Sequence, residues 1–355
     1  MKIGIPRGLM FYHLYPRWKS FFQKTGVEIQ ISSETDPAML RRGVAASVCE
    51  ACLPVKAYYG HVRALADADV DALFIPRLVQ YEARNYICPK LMGLPDMIRA
   101  FQRDIPPVLS PVVDRTRGLA FEKREIEHLA DVLGGSRRRF MRAWQDSFSA
   151  LSTFESETHR EGLTAGQWIE REEGRSIGST EPYRLQIGLL GHSYVVNDRV
   201  LNFGTPQRLR SMGVHVVTAE MLGPAAKDAG RFALPKRLFW TSGANASGAA
   251  HLMNRNPQID GMIYISCFGC GPDSIIVDTL RRRMTKPFFH LTVDEHSGEA
   301  GLETRLEAFI DLIRRQTHHE SDLSPSGECL YPPAIAADGP AFPRDPAASM
   351  QPANP

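Results

Sequence analysis

No apolar run in this chain approaches the roughly 18–20 residues that a bilayer crossing needs. The opening Met1-Lys2-Ile3-Gly4-Ile5-Pro6-Arg7 turns to proline and arginine before a signal-peptide core can form. A membrane partner is therefore not expected, and the cytoplasm is the expected compartment. Charge of one sign is lacking too: 42 basic residues face 40 acidic ones, a formal net of +2, which gives no reason to expect nucleic acid as a partner. Arginines do cluster at Arg137, Arg138, Arg139 and Arg142 and at Arg281, Arg282 and Arg283, runs read as solvated helix faces rather than docking surfaces. A nucleotide-binding loop is also absent. Gly243-Ala244-Asn245-Ala246-Ser247-Gly248 lacks the Gly-Lys-Ser/Thr ending, and small residues opening a helix explain it more simply. Cysteine is scarce, with six in 355 residues. In a reducing compartment those six do not suggest a disulfide framework.

What is present is ordinary for a soluble globular chain: 43% hydrophobic and 23% charged residues, and a length that suggests two domains. Strand and helix patterns alternate in the first hundred residues. Lys2–Pro6 reads as a strand, Trp18–Lys24 as a helix closed by Gly26, Val27–Ser32 as a strand, and Pro37–Arg42 and Val55–Ala66 as helices. Val70–Pro76 reads as a buried strand ending in a polar loop, Arg77–Arg84. From about residue 117 the chain becomes rich in Glu and Arg. Leu129, Val132, Leu133, Phe140, Trp144, Phe148 and Leu151 fall at helical intervals there, and no strand is convincing. The alternation resumes at Arg184, with strands at Leu185–Leu190, Val214–Thr218, Gly261–Ser266 and Phe288–Val293 and helices at Pro206–Ser211 and Leu302–Arg315. The expected fold is α/β: two doubly wound Rossmann-like domains with parallel sheets, joined by a helical connector. The expected bounds are 1–116 and 183–317 for the two α/β domains, 117–182 for the connector and 318–355 for a disordered, Pro-, Ala- and Ser-rich tail.

Two Cys-x-x-Cys pairs, Cys49-Glu50-Ala51-Cys52 and Cys267-Phe268-Gly269-Cys270, and a Cys88-Pro89 step carry the chemistry. Two residues between thiols let both sulfurs reach one metal centre from a tight turn, which Gly269 and Gly271 permit. Pro54, Pro89 and Pro272 stop regular structure beside each loop. Cys267 follows directly on the strand Met262–Ile265 and Cys88 lies in the region after Phe74-Ile75, where open α/β sheets place their sites. Buried apolar cysteines are the bland alternative, and a Cys₄ zinc site the stronger rival. Zinc ribbons usually bring their pairs together within a short span, whereas more than 200 residues separate these two pairs. A thioredoxin-like dithiol is disfavoured, because neither pair is expected to open a helix after a strand beside a residue that would activate it. Cys329 stands at the edge of the tail and is left out.

Several segments together resemble a known family. They are Ile3-Gly4-Ile5-Pro6-Arg7-Gly8-Leu9, Glu50-Ala51-Cys52-Leu53-Pro54-Val55-Lys56, Gly60-His61-Val62, Phe74-Ile75-Pro76-Arg77, Tyr86-Ile87-Cys88-Pro89-Lys90 with Gly93-Leu94-Pro95-Asp96, and Cys267-Phe268-Gly269-Cys270-Gly271-Pro272-Asp273-Ser274. They are similar to the acyl-CoA dehydratase activase-related proteins, a branch of the 2-hydroxyacyl-CoA dehydratase superfamily. Gly191-His192-Ser193-Tyr194 with Asp198, and Leu291–His296 with Thr304–Phe309, extend the likeness, which covers roughly residues 1–100 and 184–315. The connector and tail lie outside it.

The resemblance implies a pair of α/β domains holding an iron–sulfur cluster through Cys49, Cys52, Cys88, Cys267 and Cys270. It also implies a partner, an ATP-hydrolysing activase with its own iron–sulfur cluster that delivers electrons at very low potential. Dehydratases of the superfamily spend that electron on a CoA thioester, forming a ketyl radical from which the 2-hydroxyl can leave. Other members reduce small molecules at a double-cubane cluster. Five thiols suit either a 4Fe–4S cluster with one thiol spare or a larger 8Fe–9S double cubane. Whether this chain is itself a dehydratase-like lyase, a reductase or an electron carrier stays open, as does dimerisation, and an acyl-CoA or another small molecule is the expected substrate.

Other polar residues flank the same loops. Lys56 and Arg77 could supply positive charge to a reduced cluster or to a CoA phosphate, or be tied up in ion pairs, and Glu82 and Lys90 lie close by in sequence. His61 and His192 are the candidate proton donors, since histidine titrates near neutral pH.

Overall fold

The computed structural model describes residues 1–82, 85–177, 183–230, 234, 236 and 238–320. The tail expected over 318–355 therefore lies almost wholly outside the described residues, and Cys329 with it. The first strand, β1 (Lys2–Ile5), is short and almost fully buried, and its chain turns at Pro6 into helix α1 (Phe11–Thr25). The helix starts seven residues before the expected Trp18 and runs through Pro16. Proline inside a helix costs about 3 kcal/mol. Phe11, Tyr12, Leu14, Tyr15 and Trp18 are all buried along it, and packing on this scale offsets the lost hydrogen bond. Gly26 ends the helix in the left-handed region at φ 74°. There follow β2 (Glu28–Ile31), α2 (Pro37–Ala45) and α3 (Leu53–Ala66). Asp36 caps α2 by accepting from the amides of Ala38 and Met39 at 2.7 and 2.8 Å.

Next come β3 (Ala72–Phe74), β4 (Arg77–Gln80), the single turn α4 (Pro89–Met92), α5 (Leu94–Phe101), β5 (Val108–Leu109) and β6 (Val112–Asp114). The polar loop expected at Arg77 is thus a strand at its start, since β4 pairs in parallel with β6 in a small separate sheet. Its alternation of half-buried and buried residues was hidden by the arginine and glutamine at its two ends. Ala83 and Arg84, further along that loop, fall outside the described residues.

The connector is helical throughout its described length: α6 (Leu119–Val132), α7 (Arg137–Glu161) and α8 (Ala165–Glu172). It packs on α1. Phe21 meets Phe140 and Trp144 edge-on, with centroids 5.6 and 5.5 Å apart. Val132 and Phe148, expected to join this apolar face, are exposed instead, although the guanidinium of Arg17 lies over the Phe148 ring. The arginine run is occupied locally: Arg137 pairs with Asp131, and Arg139 donates to the Lys24 carbonyl.

The second half runs β7 (Leu185–Gly191), α9 (Ser193–Val196), α10 (Thr205–Ser211), β8 (Val214–Thr218), α11 (Pro224–Ala229), α12 (Thr241–Arg255), β9 (Gly261–Cys267), α13 (Gly271–Arg281), β10 (Phe288–Val293) and α14 (Glu299–Glu320). The Gly243–Gly248 segment lies in the first two turns of α12, from its third residue, so its small residues stand at the start of a helix.

Both large sheets are parallel, with orders β2-β1-β3-β5 and β8-β7-β9-β10. Each half therefore places its second strand on one flank of its first and its third and fourth on the other. This is the doubly wound, Rossmann-like arrangement expected from the sequence, repeated twice. One hydrophobic core continues from the first sheet through Phe140, Trp144 and Phe154 into β7 and α14. Among the described residues no helix is long and apolar enough to cross a membrane.

The crossing of α2 and α3 sets the entry to the first cysteine pair, and it depends on two glycines. A Cβ on Gly43 would lie 2.0 Å from the Lys56 carbonyl oxygen, and one on Gly60 would lie 2.2 Å from the Met39 carbonyl oxygen. Backbone cannot yield as a flexible side chain does. Gly43→Ala is expected to lower stability by about 1–3 kcal/mol, read as a lower urea midpoint; an unchanged midpoint would show that the helices separate freely.

Candidate functional site

In each half the strand order reverses between the first and third strands, and the loops leaving those strands open a crevice there. In the second half these loops follow β7 and β9. Gly191 ends β7 at φ 143°, where a Cβ would come within 2.5 Å of the Ile265 carbonyl oxygen, so glycine alone lets the strand leave this close to β9. His192 follows at once. Cys267 is the last residue of β9, and the next turn closes with the Cys270 amide donating to the Cys267 carbonyl at 3.0 Å, Gly269 taking φ 76°.

The two loops meet. His192 Nε2 lies 3.5 Å from Cys270 Sγ and 3.2 Å from Asp273 Oδ1, and the Tyr264 hydroxyl donates to the same Asp273 oxygen at 2.8 Å. A carboxylate can only accept, so beside Asp273 the Nε2 of His192 carries a proton, shared between the Asp273 oxygen and Cys270 Sγ. Burial alone would lower the His192 pKa; Asp273 and Cys270 outweigh it and hold the imidazole well above its ordinary value. The three groups offer nitrogen, sulfur and oxygen donors within 4.8 Å of one another.

The first half brings its cysteines to the same place. Cys52 occupies the N-cap of α3 and Cys88 that of α4, as Cys270 does for α13. In each case proline is the first or second helical residue, which explains the prolines seen in the sequence: they start helices there. Lys90 ties the loops together, its Nζ donating to the carbonyls of Glu50 at 2.8 Å and Gly269 at 3.3 Å. Burial pushes the Cys52 thiol up; Lys90 opposes that, while Cys270 and Cys88 add to it. Cys267 is pushed well up by burial and then by Cys52, Asp273 and Cys270. Tyr194, buried beside them, is raised by burial and then by Cys270, Cys52 and Cys88 among others. Cys52 is thus within electrostatic reach of Cys88, Cys267 and Cys270. Cys49 is exposed and does not figure in these interactions, and all five are free thiols.

One expectation is corrected. The pair Cys267–Cys270 does link a strand to a helix N-terminus and has His192 beside it, features a thioredoxin-like dithiol would use. Sequence spacing missed this because α13 begins at Gly271-Pro272, residues read as breakers. A lone dithiol, however, gives no reason for Cys52 and Cys88 to join it.

The flanking polar residues are mostly committed. Lys56, buried, is ion-paired with Glu295 in the other half. Arg77 pairs with Asp96 at 2.6 Å and donates to the Met92 carbonyl, and Glu82 lies 3.0 Å from Lys227. Asp273, Tyr264 and Tyr194 form part of the site, and spacing alone assigns none of them a role. The one local signal was Asp273 three residues past Cys270, the N3 position of α13.

Residues 2–222 match the family described as CoA enzyme activase uncharacterised domain (DUF2229), and because the match spans more than half of the chain, the protein belongs to that family. The match takes in Cys49, Cys52, Cys88 and His192, runs through the helical connector that the resemblance left out, and ends before Cys267. No curated protein matches the chain.

His61, a candidate proton donor, bonds to Ser32 and Thr35 rather than to any cysteine. Its Nδ1 lies 2.9 Å from Ser32 Oγ and its Nε2 3.0 Å from Thr35 Oγ1, and Thr35 in turn donates to Asp198 across the two halves. Burial, helped by Arg7, lowers its pKa from 6.5 to about 3. His13 is lowered to about 3 as well, by burial and Lys227, whereas burial raises Asp198 from 3.8 to about 6. Between pH 6.5 and 3 the unfolded chain binds protons that the folded histidines refuse, so their contribution to stability is lost as pH falls through that window. Asp198 acts oppositely, its contribution being lost as pH rises through about 6. In His61→Gln the thermal midpoint should vary less between pH 6.5 and 4 than in the wild type; equal slopes would contradict the buried neutral histidine.

Proposed function

We propose that the protein is an iron–sulfur redox component of an ATP-activated reductive system of the 2-hydroxyacyl-CoA dehydratase type. Cys52, Cys88, Cys267 and Cys270 hold one 4Fe–4S cluster where the two α/β halves meet, and a partner activase supplies low-potential electrons. The observation that carries this reading is that Lys90 joins cysteine loops more than 200 residues apart through the Glu50 and Gly269 carbonyls, with Cys52, Cys88, Cys267 and Cys270 on those loops and three of the four at helix N-caps.

The donor set suits such a group. Thiolates are its usual ligands, and the partial positive charge of helix N-termini favours the anionic sulfur that ligation requires. When bound, the cluster supplies one-electron chemistry at a potential set by its surroundings. Lys90 holds the two ligand-bearing loops together through its paired carbonyl contacts. His192 presents its N–H to Cys270 and Asp273 holds it there, so this pair tunes the site. Cys49, exposed one turn before Cys52, is the spare thiol.

A second reading has one observation in its favour. His192, Cys270 and Asp273 form a mixed donor set that zinc accepts. Metal analysis separates the two: anaerobically purified protein should contain iron and acid-labile sulfide, whereas a colourless, zinc-loaded protein without sulfide would sink the cluster proposal. Alanine at Cys52, Cys88, Cys267 or Cys270 should each lower iron content, and Cys49→Ala should retain it. Equal iron loss in Cys49→Ala would instead require five ligands and a larger cluster. Redox titration by electron paramagnetic resonance gives a further check. His192→Leu removes the N–H aimed at Cys270 and should move the midpoint to a more negative potential, with His192→Gln in between; an unmoved midpoint in both rules out the tuning role.

A further inference from the structure

Behind Tyr194 and His192, on the side away from Cys270, lies a cavity of about 100 Å³ that the thiol site does not use. Elements of both halves and the connector close around it: α1, α7, the end of β7, α9, α11 and α12. Leu9, Met10, Phe154, Leu189, Val196 and Ala246 give it apolar walls. Tyr194 lines it too and stacks on His192, with ring centroids 5.0 Å apart and planes 9° from parallel, so one aromatic layer separates the cavity from the sulfurs.

Its polar groups divide into two kinds. The charged ones are already held by the protein. Lys227 lies 3.0 Å from Glu82 and 2.6 Å from Glu155, while Glu220 accepts from Ser193 Oγ at 2.5 Å and from Asn197 Nδ2 at 3.2 Å. The uncommitted ones are neutral. Ser242 and Asn245, on the first turns of α12, line the cavity and make no side-chain hydrogen bond among the described residues. His13 Nε2 is buried without a hydrogen-bond partner and stands 4.0 Å from the nearest Glu82 oxygen, and burial keeps its imidazole neutral at physiological pH.

We propose that this cavity binds a small uncharged molecule with an apolar body and one carbonyl or amide group, held by Ser242, Asn245 and His13. A free carboxylate is refused, because the one ammonium lining the cavity, Lys227, is already paired with Glu82 and Glu155, and the Glu220 carboxylate lines the cavity as well. For an ammonium the one lining carboxylate outside the Lys227 cluster is Glu220, whose Oε1 already accepts from Ser193 Oγ and Asn197 Nδ2. An uncharged group costs far less to bury, and its hydrogen bonds can be met in full. An apolar cavity of about 150 Å³ holds the six carbons of benzene, so this one, at about 100 Å³ and partly open, encloses about four non-hydrogen atoms and leaves the rest of a slightly larger ligand at its mouth. The assignment does not depend on what the cysteines hold.

Three matched probes test it on the full chain by calorimetric titration and ligand-observed NMR: isobutyramide, isobutyrate and isobutylamine. Isobutyramide should bind saturably and the two ions more weakly or not at all. Asn245→Leu keeps the cavity's shape but removes one hydrogen-bonding group, and should weaken amide binding about five- to tenfold; Ser242→Ala should act in the same direction. Isobutyrate or isobutylamine binding as tightly as the amide overturns the proposal. So does the absence of saturable binding by any probe, or amide affinity unchanged in both variants. Iron content is measured on the same samples, so loss of the cluster reading and loss of this one are seen separately.

Discussion

Parallel strands can only be joined by crossover connections, and a crossover that reverses direction leaves two strand ends side by side with nothing between them. Everything at the candidate site depends on that constraint. β7 and β9 are neighbours in the sheet but about seventy residues apart in the chain, so His192 and Cys270 meet at 3.5 Å only because the order β8-β7-β9-β10 reverses there. The first half repeats the same order; Cys52 and Cys88 stand at helix starts there, as Cys270 does in the second half, where Cys267 ends a strand.

Gathering thiols in this way has an electrostatic cost. Cys267 and Cys52 are both pushed up by burial and by neighbouring sulfurs, so without help they resist ionising together. The surroundings supply part of that help: three helix N-termini, the Lys90 ammonium and the Nε2–H of His192. A bound cation would supply the rest, and would reverse the order of stability between thiol and thiolate. The small-molecule cavity lies on the other side of the Tyr194–His192 layer, where charges are paired off and neutral groups are left free. Two chemically different compartments thus share one wall.

Much of the fold was legible from periodicity. The strands Val214–Thr218 and Phe288–Val293 coincide with the expected spans, because short β-rich runs flanked by turns leave little choice. Where local signals failed, tertiary packing had overruled them. α1 begins before the expected Trp18 and contains Pro16, and the aromatic face buried along it carries the helix through that proline. Gly271-Pro272 read as breakers and proved to be the first turn of α13, since proline is as good a starter of helices as a stopper. β4 was taken for a loop because a strand in a two-stranded side sheet need not be hydrophobic at every second residue.

Taken alone, the sequence determined the two α/β halves, the helical connector and the cysteine loops, all of which follow from local periodicity and residue spacing. Only the tertiary structure decided that Lys90 joins the cysteine loops, that Cys49 is exposed, that His61 belongs to a buried chain reaching Asp198, and that His192 lies between Asp273 and Cys270. The reason is physical. Spacing fixes which side chains share a turn or a face, whereas contacts across hundreds of residues are set by strand order and by the close crossings that residues such as Gly43 and Gly191 allow.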